Sequence, residues 1–120
     1  LRADYHFKGS DPLDPDLLLY FIKMLDLARE NNVQVVLVRF PVTAEYYSAA
    51  MKISSLEEHY EKLGSILALN GYSSIPILDY HDVFWQGQDY FSDSDHLNEH
   101  GAILITKTIK NDLEDLNLLP

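Results

Sequence analysis

The chain has 120 residues, 47% of them hydrophobic, with nineteen Asp and Glu against nine Lys and Arg for a formal net charge of −10. That is enough apolar surface for a single domain, and the charge opposes phosphate backbones and anionic lipid heads, so no nucleic-acid partner is expected. The lack of cysteine excludes disulfides, thiolate catalysis and cysteine-ligated zinc, and the apolar runs fall well short of the roughly 20 residues of a membrane span.

Nothing near Leu1 resembles a basic and apolar leader, so the chain reads as processed protein or as a portion of a longer one. Residues 1–15 mix charges, Gly9 and two prolines without a sustained period, which predicts a loop or arm. Asp14 followed by Pro15 is a helix start: the carboxylate can cap the first amides, and proline's missing N–H costs nothing at the first helical position. Leu17, Leu18, Phe21, Met24, Leu25 and Ala28 then follow the 3.6-residue period, and Asn31 and Asn32 suit a left-handed C-terminal cap. Residues 33–40 (VQVVLVRF), nearly continuous in hydrophobicity, predict a strand buried on both faces of a parallel sheet, closed by Pro41.

Thr43 is a candidate cap for a short helical stretch through Met51. Ser55 and Glu58 match the reciprocal capping box, and Leu56, Tyr60, Leu63 and Leu67 mark one face of a helix over residues 56–69. Residues 75–80 (IPILDY) predict a second strand, with Pro76 tolerable near its start. A polar and aromatic loop follows, with a turn at Gln86 and Gly87. Asn98 then caps a last helix whose face is Ala102, Ile105, Ile109, Leu113 and Leu116, running to about Asn117. Alternating helices and strands predict an α/β fold around a parallel sheet flanked by helices. Two strands leave sheet edges in need of partners, so further N-terminal strands, a second copy of the chain in a homo-oligomer joined through an edge, or strands not recognised in the sequence are expected to cover them.

The segment richest in chemistry is residues 90–102 (YFSDSDHLNEHGA). Asp93 stands three residues before His96, after a predicted parallel strand and before a helix, at the sheet edge where open α/β folds bind ligands. A carboxylate at that spacing can fold back onto the imidazole Nδ1 and leave Nε2 as the base toward a nucleophile. Asp89, Asp93, Asp95 and His96 offer the alternative of a hard-cation site. The glycine and distal glutamate of a calcium loop are missing, however, and the His96/His100 pair lies at a helix start facing solvent, so neither metal nor cofactor is expected. Asp79, His81 and Asp82 follow the second strand and are expected to shape its loop rather than line the rim, Arg39 to salt-bridge an acid rather than contact an anionic group at the ligand-binding edge, and Phe84, Trp85, Tyr90 and Phe91 to pin the loop or wall a pocket.

The Asp93-Ser94-Asp95-His96 block, followed by Leu97, Asn98, Gly101 and Ala102, resembles the last motif of the SGNH (GDSL-like) hydrolases, and the VVLVRFPV and ILDYHDVF segments look like the strands before it. The resemblance implies the C-terminal portion of a flavodoxin-like domain whose N-terminal strands lie upstream. It also implies His96 as general base, Asp93 as its orienting acid, and a serine esterase or O-acyltransferase acting on an acyl ester linked to carbohydrate or lipid. A bacterial cell-envelope setting is similarly implied. The family's serine block and oxyanion residues have no clear counterpart, Gly9-Ser10-Asp11 lacking a preceding apolar strand. A fragment without them is expected to be inactive alone. A non-catalytic α/β binding or assembly module and a metal-assisted hydrolase are the competing readings.

Overall fold

The structure, a computed structural model, describes residues 2–7 and 13–119. The Gly9-Ser10-Asp11 motif lies outside them. Elements in order are α1 (Arg2–Phe7), α2 (Pro15–Glu30), β1 (Leu37–Arg39), α3 (Ala44–Ile53), α4 (Leu56–Leu69), β2 (Ile77–Asp79) and α5 (Glu99–Asp115). The fold is α/β, with a two-stranded sheet whose hydrogen bonds advance together along both strands, from the Leu37 amide on the Pro76 carbonyl to the Tyr80 amide on the Arg39 carbonyl, as parallel pairing requires. No helix among the described residues is long and apolar enough to cross a membrane.

The chain forms two compact units, one of residues up to Leu37 with Ser48–Ile77, the other of Val38–Tyr47 with the residues from Leu78 on. In the first, the Asp14 carboxylate accepts from the Asp16 and Leu17 amides, 2.9 and 3.2 Å, and starts α2. The helix closes as Asn32 takes a positive φ of 55° and the Val33 amide returns to the Ala28 carbonyl. Its core is Leu25, Leu67 and Tyr72, packed with Phe21, Ile22, Leu63, Val35 and Ile75. Burying such a leucine is worth about 1.5–3 kcal/mol.

Several expectations are corrected here. Residues 2–7 form a helix rather than an arm. On α2, Leu17 and Met24 are exposed, and the buried face passes through Phe21, Ile22 and Leu25 instead. Both strands are three residues long and only partly buried. Residues 33–36 form no strand because Val33 finishes the α2 cap. The Ile75 amide likewise turns back to the Tyr72 carbonyl before β2 begins. Ser55 stands at the start of α4 but makes no side-chain capping bond; the neighbouring Ser54 hydroxyl instead meets His59 Nδ1 at 3.2 Å.

In the second unit Tyr80 is buried and its hydroxyl donates to Asp112 Oδ2 on α5 at 2.5 Å. Burial, then that carboxylate, push the phenol up to about 12. Asn98 caps α5 by accepting the Gly101 amide at 2.9 Å, as its sequence position predicts, and its own amide group donates to the Asp89 carbonyl at 2.6 Å. The helix ends at Asp115, with Asn117 at a positive φ. Ile105 is buried on its inner face, whereas Ala102 and Leu116 are exposed.

Candidate active site

The Asp93–His96 turn is held open at its base by a short antiparallel arrangement. Phe91 bridges Leu97, the Ser92 amide donates to the His96 carbonyl at 2.8 Å and the Asn98 amide to the Tyr90 carbonyl at 2.9 Å. At the tip, Asp93 Oδ1 accepts from the Asp95 and His96 amides, 3.1 and 2.9 Å. This is the local habit of aspartate in turns, and it explains the three-residue spacing: the bond that closes the turn folds the His96 ring back over the same carboxylate. His96 Nδ1 lies 2.9 Å from Oδ1 and 3.0 Å from Oδ2.

The Asp95 amide, then the ring and amide of His96, lower Asp93 to about 2, so it is an anion at neutral pH. An ionised carboxylate only accepts; Nδ1 must therefore carry the proton, and Nε2 is the basic nitrogen of the neutral ring. The His96 side chain is 57% exposed and that of Asp93 47%. Asp95 is only 9% exposed, and its Oδ1 stands 3.7 Å from Nδ1, beyond hydrogen-bond reach. Of the two carboxylates, Asp93 is the one in hydrogen-bond reach of Nδ1.

The turn is also tied to the start of α3. The Thr43 amide and hydroxyl both donate to the Ser94 carbonyl, 3.0 and 2.9 Å, and the same hydroxyl oxygen accepts the Tyr46 amide at 3.2 Å. Thr43 caps a helix longer than the stretch predicted to end at Met51, and its partner 51 residues away was not visible in sequence. A shallow depression of about 320 Å³ lies on the Asp93 side, lined by Thr43, Glu45, Phe91, Ser92, Asp93 and Ser94. Ser92 donates to the Leu97 carbonyl and Ser94 to Asp95, 3.5 and 3.3 Å.

A second carboxylate and imidazole meet at the end of β2. Asp79 Oδ1 accepts from the His81 amide at 3.1 Å and faces its Nδ1 at 2.7 Å, while Oδ2 accepts from Arg39 at 3.2 Å. Partial burial raises the Asp79 pKa, but the His81 amide and ring and the Arg39 guanidinium outweigh it and hold the carboxyl below its ordinary value. The His81 ring packs on Tyr47 and Trp85, centroids 5.1 and 5.5 Å apart. Arg39 and His81 thus take the bracing roles expected of them, and Trp85 packs against His81 and Tyr47. Phe84 stacks on Tyr90 at 4.5 Å, Tyr90 meets His100 at 5.1 Å, and Phe91 is the one predicted aromatic on the depression.

Asp93, Asp95 and His96 bring donor atoms within 4.8 Å of one another, a grouping compatible with a cation; Asp89 is not part of it. No known protein family, curated protein or solved structure matches this chain.

Proposed function

We propose that this chain carries the acid–base half of a serine ester hydrolase or O-acyltransferase of the SGNH type, within a sheet of flavodoxin-like order, acting on an acyl ester of a carbohydrate or lipid. One observation carries the reading: a single exposed imidazole whose Nδ1 is held by both oxygens of an ionised carboxylate, in a turn between β2 and α5. In the reaction, His96 Nε2 takes the proton from a serine hydroxyl as it attacks the ester carbonyl, and returns it to the departing alkoxide. Asp93 keeps the required tautomer and stabilises the imidazolium.

The serine and the amides that stabilise the oxyanion are supplied, in this reading, from outside the described residues, and sheet edges with one neighbour each leave room for further strands or for self-association. The test is turnover of a short-chain nitrophenyl ester by the complete gene product. His96→Ala should lower kcat by on the order of 10³-fold or more; unchanged turnover removes His96 from the chemistry.

A metal-assisted reading draws on the Asp93, Asp95 and His96 grouping. It is the weaker one, because a hard cation seeks six or more oxygen ligands, and the Asp93 oxygens are already engaged by two amides and Nδ1. Zinc or calcium that raised the melting temperature, with the rise lost in Asp95→Ala, would reverse this preference.

A further inference from the structure

We propose that Thr43 is a positioning residue for the Asp93–His96 pair, acting through the Ser94 carbonyl. The inference rests on the hydrolase reading for its purpose, but not for its geometry. Both members of the pair are about half exposed, so side-chain packing does little to hold them, and the pair is only as well placed as the backbone of the turn. Ser94 is the residue after the carboxylate and lies between the two. Its carbonyl receives two donors from one residue, the Thr43 amide and hydroxyl, 3.0 and 2.9 Å.

The hydroxyl's own position is set from the other side, because its oxygen accepts the Tyr46 amide at 3.2 Å in the first turn of α3. A hydroxyl that donates and accepts at once has a fixed rotor and a fixed side-chain torsion. The α3 cap therefore anchors the apex of the Asp93 turn, as the Phe91–Leu97 bridge anchors its base. Losing the hydroxyl leaves one bond where there were two and frees the apex to move, and the angle between the carboxylate and the ring moves with it.

The consequence is spectroscopic. A carboxylate on Nδ1 imposes the Nδ1–H tautomer, whereas a neutral histidine released from it redistributes toward Nε2–H. In ¹⁵N spectra of the complete gene product at about pH 8, above the ordinary histidine range, His96 should show the Nδ1–H pattern in the wild type. It should lose that pattern in Thr43→Val, with far-UV circular dichroism unchanged, and keep it in Thr43→Ser, which retains the hydroxyl. Asp93→Asn gives the pattern expected when the partner itself is gone.

A folded Thr43→Val that keeps the wild-type pattern overturns the proposal. So does a Thr43→Ser that loses it, which decides the matter even if the valine variant fails to fold. Turnover is not needed for this readout. Unchanged activity in His96→Ala would sink the hydrolase reading and leave the role of Thr43 standing, while an unmoved tautomer would do the reverse.

Discussion

The Asp79–His81 and Asp93–His96 pairs are built on one device: a single carboxylate oxygen receives both the backbone amide and the ring Nδ1 of the same histidine. Their surroundings divide them. Asp79 gives its second oxygen to Arg39, whose side chain is 10% exposed, and the His81 ring, 19% exposed, is packed against two aromatic rings. Asp93 gives both oxygens to one ring that is 57% exposed. A carboxylate on an imidazole is therefore no mark of chemistry by itself. In the first pair it braces a loop; in the second it leaves a ring of fixed tautomer exposed to solvent.

The sharpest way to separate the pairs acts through Gly101. A Cβ there would run into the Tyr90 carbonyl, a backbone atom that cannot swing aside, and that carbonyl also accepts the Asn98 amide at the base of the Asp93 turn. Gly101→Ala should cost about 1–3 kcal/mol, the usual range for forced overpacking, in urea unfolding. It should also erase the Nδ1–H pattern of His96 while leaving that of His81. Loss of both patterns together would mean that the two pairs share one support, and the contrast drawn above would fail.

Removing each carboxylate in turn gives the next effect. Asp79→Asn takes the negative charge from beside the largely buried Arg39 and should cost about 1–2 kcal/mol, reduced from a fully buried pair because Asp79 is 43% exposed. Asp93→Asn leaves no buried charge without its partner, since the His96 ring is 57% exposed, and should move the unfolding midpoint less, its effect falling on tautomer and turnover. Equal midpoints would argue that Arg39 and Asp79 do not brace the fold.

Acid makes the same comparison within one sample. Asp93 is lowered from 3.8 to about 2 and Asp79 is lowered as well, so both bind protons less readily folded than unfolded. Each contributes stability that is fully present above the ordinary carboxylate value and is lost as pH falls through the folded one. The Asp93 turn should hold at pH 4 and loosen toward pH 2, followed by the amide shifts of Asp95 and His96. Shifts that titrate at the ordinary value would show that the amides do not hold the carboxylate.

Much of this was legible in the sequence where the cause is local. The Asp14, Thr43 and Asn98 caps, the left-handed Asn32 and the Asp93–His96 contact all arise between residues a few positions apart, where side-chain length and turn chemistry decide the outcome. What depended on distant partners was not. The VQVVLVRF run suggested a long strand, but pairing needs a neighbour, and β2 supplies only three residues. Leu17 and Met24 fit a helical face that the core did not choose, since periodicity permits several adjacent faces and packing selects one. The ties from Thr43 to Ser94 and from Tyr47 to His81 had no sequence signal at all.

The smallest expected effect concerns Trp85, the ring beside His81. Its Nε1 is buried and has no hydrogen-bond partner among the described residues. An indole N–H can only donate, and leaving it unsatisfied costs about 1–3 kcal/mol. Trp85→Phe removes that orphan donor and keeps an aromatic ring against Tyr47 and His81, at the loss of part of the indole's apolar area, a term of similar size. The two should nearly cancel, so the variant should unfold within about 1 kcal/mol of the wild type and retain the Nδ1–H pattern of His81. If the brace around His81 is only packing and charge, that near-neutrality follows. A loss above about 2 kcal/mol would mean that the N–H is satisfied in solution, and that the His81 site, like the His96 turn, depends on a hydrogen bond that sequence does not reveal.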